Sequence, residues 1–124
     1  MWAVLIVDDE YGLAEMTAEL LAMRGHKVAT AINGRLALAS IDQLRPDVIL
    51  VDVMMPIMPG DEMVRRLKRD PALRDIPVIM MSAAGSEELD SDLLPVIAGF
   101  LQKPFTFDEL MRELHRVLPS GAAR

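Results

Sequence analysis

Short apolar runs alternate with longer stretches of helical period along this chain. Ala3–Val7 is continuously apolar and stops at Asp8, which predicts a strand buried on both faces. Leu13, Met16, Leu20 and Leu21 then recur at helical spacing, and Gly25 closes that helix just past its end. Lys27–Ala31 reads as a second strand. Asn33-Gly34 opens a second helix with Leu38, Ile41 and Leu44 on its inner face, and Pro46 stops it. Residues 48–51 form the most apolar strand, ending at Asp52, and a Met/Pro/Gly loop follows over 53–60. Met63, Val64 and Leu67 mark a third helix, which Pro71 ends. Residues 78–81 form a fourth strand ending at Ser82, and 100–102 a fifth ending at Lys103-Pro104. In the last helix Thr106 and Glu109 have the spacing of a capping box, Phe105 is placed to staple onto Leu110, and Leu110, Leu114, Val117 and Leu118 form the buried stripe. Residues 83–99 should hold a fourth helix, but Gly85, Pro95 and Gly99 interrupt it. A shortened helix over 86–94 is expected, with Ser86 capping Glu87 and Glu88.

Five strands alternating with helices predict an α/β domain with a parallel sheet, right-handed crossovers and helices on both faces. The 124 residues suit one domain, expected over 1–119 with a frayed tail over 120–124. A 52% hydrophobic and 26% charged composition is that of a folded chain. The lack of cysteine excludes a disulfide framework, a thiolate zinc site and a cysteine nucleophile. Thirteen basic against nineteen acidic side chains give a net charge of −6, the wrong sign for direct contact with nucleic acid. No apolar run approaches the roughly 18 residues of a membrane span, and the N-terminus lacks the basic region of a signal peptide. A cytoplasmic location without membrane contact is expected.

The polar residues change this picture most. Asp8 and Asp9, Asp52, Ser82 and Lys103 each stand at the C-terminal end of a predicted strand. In an open parallel sheet those ends share one edge, where ligands bind. Carboxylates gathered there repel one another by roughly 4 kcal/mol per pair at ~4 Å and an effective dielectric of ~20. They therefore call for a cation, and oxygen-only ligands favour a hard one, Mg²⁺ before Ca²⁺. A carboxylate beside such an ion can attack phosphorus. Asp52, the lone acid on the central strand, is the candidate nucleophile. Asp8 and Asp9 would hold the metal, Lys103 would counter phosphoryl charge, and Ser82 would hydrogen-bond it. Glu10 stands beside the cluster or is an exposed first-turn acid. Met54, Met55, Met58 and Met63 read as packing residues. His26 and His115 have no second ligand spaced for metal and read as surface residues. Arg65, Arg66, Lys68 and Arg69 read as the solvated face and last turn of the third helix.

Val7-Asp8-Asp9-Glu10, Asp52-Val53-Met54-Met55-Pro56, Ser82-Ala83 and Lys103-Pro104-Phe105, in this order and each at a strand end, resemble the receiver domain of bacterial two-component response regulators. The resemblance covers residues 4–118. It implies a flavodoxin-like doubly wound sheet of strand order 2-1-3-4-5. It further implies that Asp52 accepts a phosphoryl group from the phosphohistidine of a sensor histidine kinase or phosphotransfer protein. Asp9, Asp52 and the Met54 backbone carbonyl would ligate Mg²⁺, or Mn²⁺ in its place, with Asp8 nearby or acting through water. Ser82 and Lys103 would bind the phosphoryl oxygens. Ser82 and Phe100 would form a switch that passes the change to a downstream protein or effector domain. By the same resemblance, Pro59 replaces a usual Asp before Gly60, Phe100 lacks a tyrosine hydroxyl, and 85–99 departs from a regular helix on the face used for dimers and outputs.

Three other functions fit parts of the pattern. One is an interaction module on the same scaffold that needs no phosphorylation. Another is an aspartyl-phosphate phosphohydrolase, against which Met54 stands where a second, general-acid Asp is usual. The weakest is a flavin-binding doubly wound protein, since no Ser/Thr/Gly-rich loop follows the first strand. Apolar Met54 and Ala84 beside the phosphoryl group would position no attacking water, so slow self-hydrolysis is expected.

Overall fold

The computed structural model describes residues 1–118; the expected tail over 120–124 lies outside them. Strands β1 (Ala3–Val7), β2 (Lys27–Ala31), β3 (Val48–Asp52), β4 (Val78–Ser82) and β5 (Gly99–Gln102) alternate with helices α1 (Tyr11–Met23), α2 (Gly34–Ile41), α3 (Gly60–Arg69) and α4 (Phe107–Val117). The sheet is wholly parallel in the order β2-β1-β3-β4-β5, the doubly wound, flavodoxin-like arrangement.

Alternation along the central strands feeds two cores. Leu5 and Val7, Ile49 and Val51, Val78 and Met80 face one side, where they meet Ala37 and Ile41 of α2 and Met63, Val64 and Leu67 of α3. Val4 and Ile6, Val48 and Leu50, Ile79 and Met81 face the other, against Ala14 and Leu21 of α1 and Leu110 and Leu114 of α4. This two-sided burial is why β1, β3 and β4 read as unbroken apolar runs. The capping box of α4 forms as its spacing predicts, and Phe105 joins Leu110 in the second core.

Two expectations are corrected. Leu13, Met16 and Leu20 carry helical period, yet they lie on the exposed face of α1, 48%, 54% and 38% accessible, while Ala14, Ala18 and Leu21 turn inward. The helix over 86–94 is absent. Only one 3₁₀ turn, Ser86–Glu88, forms there, with Gly85 at φ 94° in the cap position in place of Ser86. Gly85 takes a left-handed backbone, and Leu89 and Leu93 are buried in the first core from loop backbone instead. Neither histidine is buried, His115 being exposed as expected, and both rings pack on Trp2. His26 stacks on Trp2 at 4.8 Å and its Nδ1 accepts from the Trp2 backbone N–H, while His115 meets the same ring edge-on at 5.0 Å.

Candidate functional site

Parallel register puts the chemistry on one edge. Val7 pairs with Val51, Asp52 with Met81, and Ser82 with Gln102, so the residues at or just past these positions emerge side by side. Asp8 is tied down before its side chain acts. Its N–H donates to the Ala31 carbonyl, and its Oδ1 accepts from the Glu10 N–H at 2.9 Å. That turn bends the chain into α1 and leaves Oδ2 facing the site.

Carboxylate oxygens of Asp8, Asp9 and Asp52 all lie within 4.8 Å of one another. Asp8 and Asp52 are buried, at 4% and 6% exposure, and Asp9 is open to solvent. Lys103 reaches this group from the end of β5. Its Nζ stands 2.8 Å from Asp8 Oδ2, 3.1 Å from Asp52 Oδ1 and 3.1 Å from Glu10 Oε1. One ammonium thus bridges three acids, and the Glu10 arm could not be read from spacing. Burial pushes the Asp52 carboxyl up to about 6. The Lys103 hydrogen bond and charge pull it down, and Asp8 and Asp9 push it up further. For Lys103 burial works against the charge, but the bonds to Asp8 and Asp52 outweigh it and hold the ammonium above the ordinary lysine range.

The donor set suits a hard divalent cation. All three acids offer oxygen, none offers nitrogen or sulfur, and one exposed member leaves room for retained waters. Asp8, Asp9 and Asp52 would hold such an ion, which would neutralise negative charge gathered at this edge.

The loop after Asp52 closes tightly. The Gly60 N–H donates to Val53 O at 3.1 Å, and a Cβ at Gly60 would collide with the Asp52 carbonyl oxygen. Ile57 sits at φ 69°, a left-handed backbone that costs a β-branched residue about 1–3 kcal/mol. The Met54 side chain is exposed, whereas Met55, Met58 and Met63 are buried in the first core.

Ser82 lies at the same edge, 2% exposed, but its hydroxyl is engaged elsewhere. Oγ donates to Glu88 Oε1 at 2.8 Å and accepts from the Ala84 N–H at 3.1 Å. Phe100 is half-buried against the first core. Sequence reasoning placed Glu88 only in the first turn of a helix capped by Ser86, and it took Arg65 for a solvated charge. Arg65 in fact joins the crossover, with Nε and NH2 on Asp92 at 3.0 Å each and NH2 on Asp90 at 2.6 Å. Only its link to Asp61, one helical turn back, had a visible spacing.

Two clefts flank the acids. One of about 350 Å³ is walled by Leu13, Met16, Pro104 and Phe105, with Asp8 and Lys103 at its polar end. The other, about 800 Å³, lies between Asp9, Tyr11, Ile32, Asn33 and Ile57.

Known proteins share both sequence and architecture with this chain. Residues 4–115 match the response regulator receiver domain. The phosphate regulon transcriptional regulatory protein PhoB of Pseudomonas aeruginosa is 44% identical over 116 residues, covering 93% of this chain and 51% of that protein. The sensory transduction protein RegX3 of Mycobacterium tuberculosis is 34% identical over 128 residues, covering 98% and 52%. The chain thus spans about half the length of these curated relatives. The chemotaxis response regulator CheY4 of Vibrio cholerae superposes with a TM-score of 0.87 at 37% identity, covering 95% of this chain and 99% of that one. The doubly wound sheet, the acids at its edge and these similarities lead to one assignment: the chain belongs to the receiver domain family of two-component response regulators.

Proposed function

We propose that this receiver is a phosphoacceptor switch in which Asp52 takes a phosphoryl group from the phosphohistidine of a kinase or phosphotransfer protein. One observation carries the reading: a single lysine ammonium is shared between buried Asp8 and Asp52, with Asp9 close enough to complete a cation site. An Asp52 Oδ attacks phosphorus. The new P–O bond forms as the P–N bond to the donor imidazole breaks, and the electron pair stays on the ring nitrogen, which takes up a proton. Asp8, Asp9 and Asp52 would hold Mg²⁺, with the Met54 carbonyl as a further ligand, and the ion would supply neutralisation of the phosphoryl charge. Lys103 exchanges a carboxylate partner for a phosphoryl oxygen, and Ser82 donates to another. No external substrate turns over; the domain catalyses only its own modification. Met54 and Ala84 offer no group to orient water, so the acyl phosphate should outlast minutes. A downstream protein or attached effector domain reads the modified state.

Acetyl phosphate with Mg²⁺ should add one phosphoryl group to the wild type by intact mass. Asp52→Asn or chelation of the metal should abolish the addition. An unmodified wild type, or label retained in Asp52→Asn, would overturn the reading.

A further inference from the structure

Ser82 is buried at the sheet edge, yet its hydroxyl is already committed. A hydroxyl has one proton to give, and here it goes to Glu88 Oε1 at 2.8 Å, while the Ala84 N–H fills a lone pair. A phosphoryl oxygen on Asp52 cannot receive that proton until Glu88 gives it up. We propose that Glu88 is a positioning residue for the phosphoryl site, holding Ser82 in a resting orientation that phosphorylation must break. This rests on Asp52 being the phosphoacceptor.

The missing helix is what makes the contact possible. A regular helix leaving β4 would carry residue 88 about 9 Å along its axis from Ser82. Instead Gly85, at φ 94°, turns the chain into a single 3₁₀ turn that brings the carboxylate back six residues later. The turn is held on its far side. Leu89 and Leu93 are buried in the first core, and Arg65 grips Asp90 and Asp92. Glu88 is itself exposed, and among the described residues its carboxylate is held by this bond. A carboxylate acceptor makes the bond a charge-assisted one, strong enough to bias the hydroxyl and weak enough for a phosphoryl group to outbid. Once released, Glu88 no longer ties the crossover to Ser82, and the change at Asp52 reaches residues 86–98.

The test compares wild type, Glu88→Ala, Glu88→Gln, Ser82→Ala and the Ser82→Ala/Glu88→Ala double variant. Phosphoryl uptake is followed with acetyl phosphate and Mg²⁺. The Ala84 amide is followed by NMR in metal-free, unphosphorylated protein. Glu88→Ala should speed uptake about 3- to 10-fold, Glu88→Gln less, and the double variant should match Ser82→Ala. The Ala84 resonance should move in Glu88→Ala, because its acceptor rotates. A rate gain that survives in the Ser82→Ala background would mean that Glu88 acts only as a repelling charge, and would overturn the proposal. So would an unmoved Ala84 amide, or unchanged uptake in Glu88→Ala. If wild type takes up no phosphoryl group while the Ala84 amide moves, the phosphoacceptor reading fails and the hold of Glu88 on Ser82 stands.

Discussion

Two neighbouring crossovers leave the same sheet and are built by different means. The one from β3 to β4 runs through α3, whose Met63, Val64 and Leu67 are all buried, with Asp61 and Glu62 in its first turn and Arg66, Lys68 and Arg69 in its last. Every level of that segment agrees: period, charge and the helix dipole. The one from β4 to β5 has a single 3₁₀ turn, two buried leucines and an arginine clamp, while Leu94 and Val96 stay exposed. A regular helix shares its stability among many backbone bonds and cannot shift piecemeal. A loop hung from a few side chains can be re-seated without unfolding the domain. That loop leaves β4 at Ser82 and enters β5 one residue before Phe100; Ser82 and Phe100 are the two positions that the family resemblance assigns to the switch.

The largest test of this contrast truncates one leucine in each crossover. Leu67→Ala should lower unfolding free energy by about 3 kcal/mol, since rigid α3 leaves the cavity open. Leu93→Ala removes an equally buried side chain, but the loop can collapse into the gap, so its cost should be nearer ~2 kcal/mol. Denaturant unfolding of both variants measures the difference. A larger loss in Leu93→Ala would mean that the irregular crossover is the stiffer one.

The sheet and its edge were legible because strands buried on both faces need continuous apolar residues. The places where those runs stop, Asp8, Asp52 and Ser82, are then conspicuous. The inward face of α1 was not legible. Leu13, Met16 and Leu20 make one stripe, Ala14, Ala18 and Leu21 another, and periodicity alone does not say which stripe meets the sheet. Nor could local signals reveal that 86–94 stays unwound, since the outcome depends on Leu89 and Leu93 docking from a distance. Asp8, Asp9, Asp52 and Lys103 were placed together by topology. That Ser82 donates to Glu88 and Lys103 to Glu10 are matters of rotamer and loop path, which residue identity does not encode.

A second comparison separates the acid cluster from both crossovers. Asp52 is raised from 3.8 to about 6 chiefly by burial, so the folded chain holds this proton more tightly than the unfolded chain does. The stabilisation from that proton is full below pH 3.8 and is lost as the pH climbs to about 6. Without metal at pH 7.5, Asp52→Asn should therefore be more stable than wild type. A rise of this size corresponds to about 3 kcal/mol. The pull of Lys103 is already contained in that rise, and solvent screening at the sheet edge reduces it, leaving an expected gain of about 1–2 kcal/mol. The gap should close toward pH 4, and adding Mg²⁺ should narrow it by stabilising wild type. Amide exchange over 86–98 should not follow the substitution. A difference between Asp52→Asn and wild type that shrinks as the pH rises from 4 to 6 would contradict this sign.

The smallest expected effect is the most specific to the crossover. Arg65 belongs to α3 by sequence but spends its guanidinium on Asp90 and Asp92 across the gap, where all the groups are partly open to solvent. Such pairs add little to global stability, so Arg65→Ala should leave the unfolding midpoint nearly unchanged. Its effect should appear locally. Amides over 86–98 should exchange several-fold faster, while those of α3 stay protected. Arg66→Ala is the matched control: Arg66 pairs with Glu62 on its own helix and should leave 86–98 untouched. Faster exchange in both variants would trace the change to α3 itself. Slow exchange in both would mean that Leu89 and Leu93 hold the loop unaided, and that the re-seating of this crossover is resisted by its apolar anchors rather than its ionic one.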